Sequence, residues 1–361
     1  MRKKLWKGNE AIAEAAVRAG CRFFAGYPIT PQTEIPEYMS VRMSEAGGIF
    51  VQSESEISAV NMLYGAAASG VRCMTSSSGP GMSLKQEGIS FLATAELPCV
   101  IVNIARGGPG LGGVYPAQSD YFQACKGGGH GDYHMLVLAP NSVPEAANLT
   151  MEAFDLADYY RNPVMILGDG MLGQMMESAE FDHVPTQKEL PDKDWVITGT
   201  KAQRTPNLVT TGFLRAEDSE KQNRILFAKY AKMAENEARF EEYQTEDAEI
   251  IFVAYGITSR FAKSAVNILR AEGIKCGLFR PISLFPFPDK QIESLAKNEN
   301  VNLFLTLELS MGQMVQDVRL AVNGLKPVLF YGRAGGMVMN TEEIIEEAKK
   351  ICGGAVNGCS V

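Results

Sequence analysis

The sequence lacks closely spaced cysteines, a basic excess and any long apolar run. Its seven cysteines (Cys21, Cys73, Cys99, Cys125, Cys276, Cys352, Cys359) include no CxxC pair. Iron–sulfur clusters and structural zinc sites draw ligands from close spacings, so no metal site is read here and any redox metal must belong to another chain. An odd count without framework spacing fits a reducing, cytoplasmic setting. Lys and Arg total 34 against 42 Asp and Glu, a formal net charge of −8. That balance argues against nucleic acid, whose phosphates call for a basic face. No apolar stretch approaches the roughly 18 residues of a membrane span, so no membrane association is expected. The opening MRKKLWKGNEAIAEA has charge but no apolar centre, unlike a signal peptide.

What is present is the texture of a large α/β protein. At roughly 100–200 residues per domain, 361 residues imply two domains. In the first part, apolar runs such as CRFFAGYP (21–28), GIFVQS (48–53), VRCMTSS (71–77), PCVIVNIAR (98–106), HMLVLAP (134–140) and PVMILGDG (163–170) alternate with amphipathic stretches. Apolar strands separated by helices describe a parallel sheet covered on both faces. Such a doubly wound domain binds ligands beyond the carboxyl ends of its strands. We place this domain at 1–175. A polar, proline-punctuated excursion with a charged helix follows at 176–246. A second, smaller α/β domain of four strand–helix units, with IKCGLFRPISLF as one strand, occupies 247–350, and 351–361 reads as a loose tail.

Several strand-end loops could carry chemistry. GYPITPQTEI (26–35) is stiffened by Pro28 and Pro31, and Thr30 or Thr33 either caps the next helix or faces a ligand. Glu54 and Glu56 stand where a strand passes into a helix, a position favoured by the helix dipole and also suited to a ligand-binding carboxylate. TSSSGPGMS (75–83) is either a tight turn or a backbone cradle. Arg106 opens a glycine loop and could grip a carboxylate bidentately or pair with a local acid. Gly108–Gly113 satisfies G-x-G-x-x-G, but it follows a late strand and carries Pro109, which argues against dinucleotide binding. His130, Asp132 and His134 lie in a glycine-rich run unsuited to a helical metal site. Asp169 in LGDGMLGQ could open a magnesium–diphosphate motif, but no asparagine pair follows at the needed distance, so it reads as a turn residue.

Taken together, Tyr27-Pro28-Ile29-Thr30-Pro31, Ser55-Glu56 before an alanine-rich helix, Ser78-Gly79-Pro80-Gly81 and Arg106-Gly107-Gly108-Pro109-Gly110 resemble the alpha subunit of 2-oxoacid:ferredoxin oxidoreductases. AYGITSR and GLFRPISLFPFP are similar to the second domain of those subunits, and GGPGLGGVYPAQSDYFQACKGGGHGDYH is most like the branched-chain type. The resemblance implies a doubly wound thiamine diphosphate pyrimidine-binding domain followed by a transketolase C-terminal-like domain. It implies that Glu56 hydrogen-bonds N1′ of the aminopyrimidine, favouring the imino tautomer. Thr30 and Arg106 would hold the substrate, Tyr27 and Ile29 would help line the pocket, and Tyr27, Pro28, Ile29, Thr30, Ser78 and Gly79 would join Glu56 in binding the cofactor. It further implies coenzyme A as co-substrate and ferredoxin as electron acceptor. A beta subunit would supply the magnesium and diphosphate half-site. A ferredoxin-like delta subunit and a gamma subunit would complete the assembly, with iron–sulfur clusters on partner subunits only. The chain alone is then expected to be inactive. Pyruvate, 2-oxoglutarate and branched-chain substrates stay open, as do a non-redox thiamine-dependent transferase and a regulatory nucleotide- or acyl-coenzyme A-binding protein. Arg280 and Arg333 are candidates for a distal carboxylate, or salt-bridge residues.

Overall fold

The computed structural model describes residues 4–181 and 188–352. Of the tail read at 351–361, Ile351 and Cys352 instead close the helix Thr341–Cys352, and 353–361, Cys359 among them, lie outside the described residues. The first sheet has seven strands, in the spatial order Ser283–Phe285, Leu136–Leu138, Pro163–Asp169, Cys99–Ala105, Cys73–Ser77, Phe23–Gly26, Ile49–Gln52. All neighbours run parallel except the first pair. Its central strands are apolar and buried along their whole length, as a sheet covered on both faces requires. Helices Gly8–Arg18 and Val143–Tyr160 pack on one face, and Glu56–Ala68 and Pro80–Thr94 on the other. The long helix Val143–Tyr160 begins where Ser142 accepts a bond from the Glu145 N–H and ends at Arg161 in a left-handed conformation.

The second sheet has five strands, in the order Val328–Gly332, Leu303–Glu308, Ile250–Val253, Cys276–Pro281, Phe240–Tyr243. Its last strand is antiparallel and polar (FEEY), and it comes from upstream of residue 247. The run IKCGLFRPISLF is not one strand. Cys276–Pro281 pairs within the second sheet, whereas Ser283–Phe285 crosses over and pairs antiparallel with Leu136–Leu138 of the first. Arg280 stands at this crossing, buried, with salt bridges to Glu145 (2.5 Å) and Glu241 (3.1 Å).

One apolar core runs between the sheets, joining Leu63, Leu92 and Ile101 to Phe279, Phe304 and Val318. The polar excursion is anchored at both ends. Met176–Ala179 pairs with Lys4–Lys7, and helix Ala216–Asn236 buries Leu226, Tyr230 and Met233. Among the described residues no helix is long and apolar enough to cross a membrane.

Candidate functional site

Four neighbouring strands of the first sheet end side by side. Ordered across the sheet, their carboxyl ends lead into Arg106, Ser78-Gly79, Tyr27–Pro31 and Ser53–Glu56. The chain leaves Phe23–Gly26 for a strand on one side and then crosses to Cys73–Ser77 on the other. That is a topological switch point, where the diverging loops open a crevice.

Glu56 is the first residue of helix Glu56–Ala68, capped by Ser55, whose hydroxyl accepts from the Ser58 N–H at 3.2 Å. Its side chain is 6% exposed and makes no hydrogen bond or ion pair among the described residues. Gly81 explains how it fits: a Cβ there would stand 2.6 Å from Glu56 Oε1 and closer still to Ser77 Oγ. The hydroxyls of Ser77 and Ser78 are buried and without partners among the described residues. Buried polar atoms are normally satisfied, so this unsatisfied set marks a place built for a polar ligand.

Arg106 is not in an ion pair with a local acid among the described residues. Its Nη1 donates to the Thr30 carbonyl (2.8 Å) and its Nη2 to the Leu111 carbonyl (2.9 Å). Its Nε is buried without a partner. Gly79, at φ +48°, lets it approach, because a Cβ there would lie 3.0 Å from Nε. Three of the five guanidinium N–H groups remain free to meet an anion. Thr30 and Thr33 do not cap the following helix by their side chains. Tyr27, Pro28 and Thr30 are exposed and Ile29 is half-buried. Their loop is held by Gln32, which donates to the Tyr27 carbonyl (3.3 Å), and by Asn9, which donates to the Pro31 carbonyl (2.8 Å).

The second unit closes over the Arg106 side. A cavity of about 390 Å³ is bounded by Gly79, Arg106, Asp120, Leu309, Met311 and Ala334, among others. Asp120 accepts from Asn103 Nδ2 at 3.0 Å, and burial pushes its carboxyl up, against the Asn103 bond and the Arg106 charge. Gln118 ties the glycine loop down by donating to the Tyr255 carbonyl (2.9 Å) and accepting from Thr258 (2.9 Å) and the Leu309 N–H (3.0 Å). Arg333 is paired with Glu343 at 3.0 Å, and neither it nor Arg280 lines this cavity. Gln32, Gln118 and Asp120 carry no sequence signal, because each acts through a residue that only the fold brings near: Ser76, Tyr255 and Asn103 respectively.

The G-x-G-x-x-G run does not lead into a helix N-terminus. It folds back on itself, with Gly107 N–H donating to Tyr115 O and Gly113 N–H to Gly107 O. Gly112 sits at φ +62°, and a Cβ there would collide with the Gly107 carbonyl. Gly112→Ala is therefore expected to cost about 1–3 kcal/mol, read by denaturant unfolding of the chain. Asp169 spends its carboxylate on the N–H groups of Met171 and Leu172, and burial lifts its pKa to about 6 against those bonds. Among the described residues no group of three His, Cys, Asp or Glu is placed to hold a metal ion.

Comparison with known proteins identifies this architecture. Residues 14–247 match the family described as pyruvate flavodoxin/ferredoxin oxidoreductase, thiamine diphosphate-binding. The chain belongs to this family. Residues 248–344 match the core domain II of pyruvate:ferredoxin oxidoreductase. The chain is 52% identical to the ketoisovalerate oxidoreductase subunit VorB of Methanothermobacter marburgensis, over 98% of this chain and 99% of that one. It is 36% identical to the 2-oxoglutarate synthase subunit KorA of Methanothermobacter thermautotrophicus, over 96% and 98%. Among solved structures, the 2-oxoglutarate:ferredoxin oxidoreductase from Magnetococcus marinus, with 2-oxoglutarate, coenzyme A and succinyl-CoA bound, aligns at a TM-score of 0.84 and 26% identity. That alignment covers 96% of this chain and 65% of that chain. A split-gene transketolase at a TM-score of 0.60 and 15% identity shares the fold. This family member is thus a 2-oxoacid:ferredoxin oxidoreductase subunit, and its first unit is a thiamine diphosphate-binding domain.

Proposed function

We propose that the chain is the alpha subunit of a complex that oxidatively decarboxylates a branched-chain 2-oxoacid, 2-oxoisovalerate in particular. The products are an acyl-coenzyme A, carbon dioxide and reduced ferredoxin. The observation that carries this reading is Glu56: a buried carboxylate that makes no hydrogen bond among the described residues, in a crevice where Gly81 keeps the space in front of it open. A bound aminopyrimidine would give that carboxylate a hydrogen bond. Ser77 and Ser78, with buried unsatisfied hydroxyls, would contact the same group, beside Gly79.

Thiamine diphosphate, when bound, supplies the carbon nucleophile and the electron sink that amino-acid side chains lack. The residues of this chain do the rest. Glu56 holds a proton at the aminopyrimidine N1′ and follows its charge as the tautomer changes. Arg106 uses its free N–H groups to orient the substrate carboxylate, while its two carbonyl bonds keep Thr30 and the glycine loop in register. Thr30 presents its hydroxyl from the facing loop, and Tyr27, Pro28 and Ile29 line that side.

The cavity's chemistry supports the substrate class. Arg106 is the one cation on its wall, and Leu309, Met311 and Ala334 give it an apolar side. A branched alkyl group suits that surface better than a second carboxylate, which would find no second cation among the described residues lining this cavity. The beta subunit would bring the magnesium and diphosphate half-site. Delta and gamma subunits would complete the complex, with the iron–sulfur clusters on partner chains. Cytoplasmic residence fits seven cysteines, an odd count without disulfide-framework spacing.

The test is viologen reduction by the purified complex, dependent on coenzyme A and thiamine diphosphate, with four 2-oxoacids. 2-Oxoisovalerate is expected to give the highest kcat/KM, by roughly tenfold or more over 2-oxoglutarate, the size of discrimination a shaped apolar pocket achieves. Preference for 2-oxoglutarate would overturn the substrate assignment. No reduction with any acid, in a complex with intact clusters, would overturn the redox reading.

A further inference from the structure

A buried amine lies one helical turn beyond Gly81, the residue against which Glu56 packs. Lys85, in helix Pro80–Thr94, shares the buried stripe of Met82, Ile89 and Leu92 and is fully shielded from solvent. Its Nζ makes one hydrogen bond among the described residues, donating to Thr75 Oγ1 at 2.9 Å. Thr75 in turn donates to the Ala25 carbonyl at 2.6 Å, so its hydroxyl oxygen is left to accept from the amine. An ammonium has three donors, and two of them find nothing here. Of the elements around it, the helix Glu56–Ala68 supplies the one charge acting on Lys85, the Glu56 carboxylate, while the strands Cys73–Ser77 and Phe23–Gly26 offer Thr75 and a backbone carbonyl. Lysines almost never occupy such a position unless paired. A lysine placed this way, and acted on by the charge of a carboxylate that makes no hydrogen bond of its own among the described residues, points to a pair that works by exchanging charge.

We propose that Lys85 is a positioning residue for Glu56: it carries the proton that balances the carboxylate, and gives that proton up when the carboxylate engages the cofactor ring. The inference rests on the thiamine diphosphate reading of the site. Without cofactor, the ammonium balances the carboxylate charge. When Glu56 shares a proton with the ring nitrogen, the ammonium loses its counter-charge and Nζ is deprotonated. One proton leaves the amine and one is gained by the carboxylate–ring pair, so net uptake is close to zero. Burial, opposed by Glu56, draws the Lys85 pKa down to about 7, which makes this release available near neutrality.

The experiment is calorimetric titration of the intact complex with thiamine diphosphate at about pH 6.5, in buffers of different ionisation enthalpy, which counts protons taken up on binding. The wild type is expected to take up close to none, and Lys85→Met about one. Thr75→Val keeps the amine but removes its acceptor, so the amine is already discharged and uptake should move toward the Lys85→Met value. Unfolding midpoints confirm that each variant is folded, and a methionine of similar length suits an apolar stripe. Equal proton uptake in wild type and Lys85→Met, with binding intact, overturns the role of Lys85 and leaves the cofactor reading standing. Absence of thiamine diphosphate binding to the wild-type complex overturns both.

Discussion

Glu56→Gln should lower kcat of the assembled complex by about 10²–10⁴-fold, the range expected when a positioned proton-transfer group is removed. Glutamine has nearly the same shape, so the opening beside Gly81 is preserved and the variant should fold as the wild type does. The Glu56 carboxylate has no hydrogen-bond donor of its own to lose. What disappears is the capacity to hold and return a proton, together with the negative charge that acts on Lys85. An amide can still bond to a ring nitrogen, so cofactor affinity should fall much less than turnover. The measurement is viologen reduction at saturating thiamine diphosphate, alongside calorimetric affinity. A rate within tenfold of wild type would mean that another carboxylate does this work.

Arg106→Lys should lower kcat/KM by about 10²–10³-fold, although charge is conserved. The guanidinium reaches the Thr30 and Leu111 carbonyls at the same time and keeps its remaining N–H groups for an anion. An ammonium is a single point that cannot span two loops and also meet a carboxylate as a fork. Each hydrogen bond from a charged donor is worth about 1.5–3 kcal/mol, so losing one or two of them where substrate docks accounts for that range. Thiamine diphosphate affinity, which does not depend on this fork, should change little. Steady-state kinetics over 2-oxoacid concentration would separate the two effects. If cofactor affinity collapsed along with kcat/KM, the arginine would be a scaffold for the whole crevice.

Much of this site is legible in the sequence because it is built at strand ends. Apolar runs mark the strands, and the residues that follow them, Thr30, Glu56, Ser78 and Arg106, are the ones the parallel sheet gathers at one rim. The partners of Arg106 are not legible in that way. They are backbone carbonyls, one of them 76 positions away, and a carbonyl leaves no mark in composition. The division of 276–285 between two sheets is hidden for a different reason. Alternation identifies extended chain, but it carries no information about which neighbour the chain pairs with. Phe240–Tyr243 escaped because a polar edge strand has no apolar run to show. Lys85 left a visible sign, a cation interrupting the stripe Met82, Ile89, Leu92, where periodicity asks for a hydrophobe.

The crossing of Ser283–Phe285 into the first sheet bears on how substrate gets in and out. Many two-unit enzymes admit ligands by hinging their halves apart. Here, opening the cleft that way would peel a hydrogen-bonded strand from Leu136–Leu138, pull Arg280 from Glu145, and wet the apolar layer common to both halves. The walls of the cavity are thus riveted together.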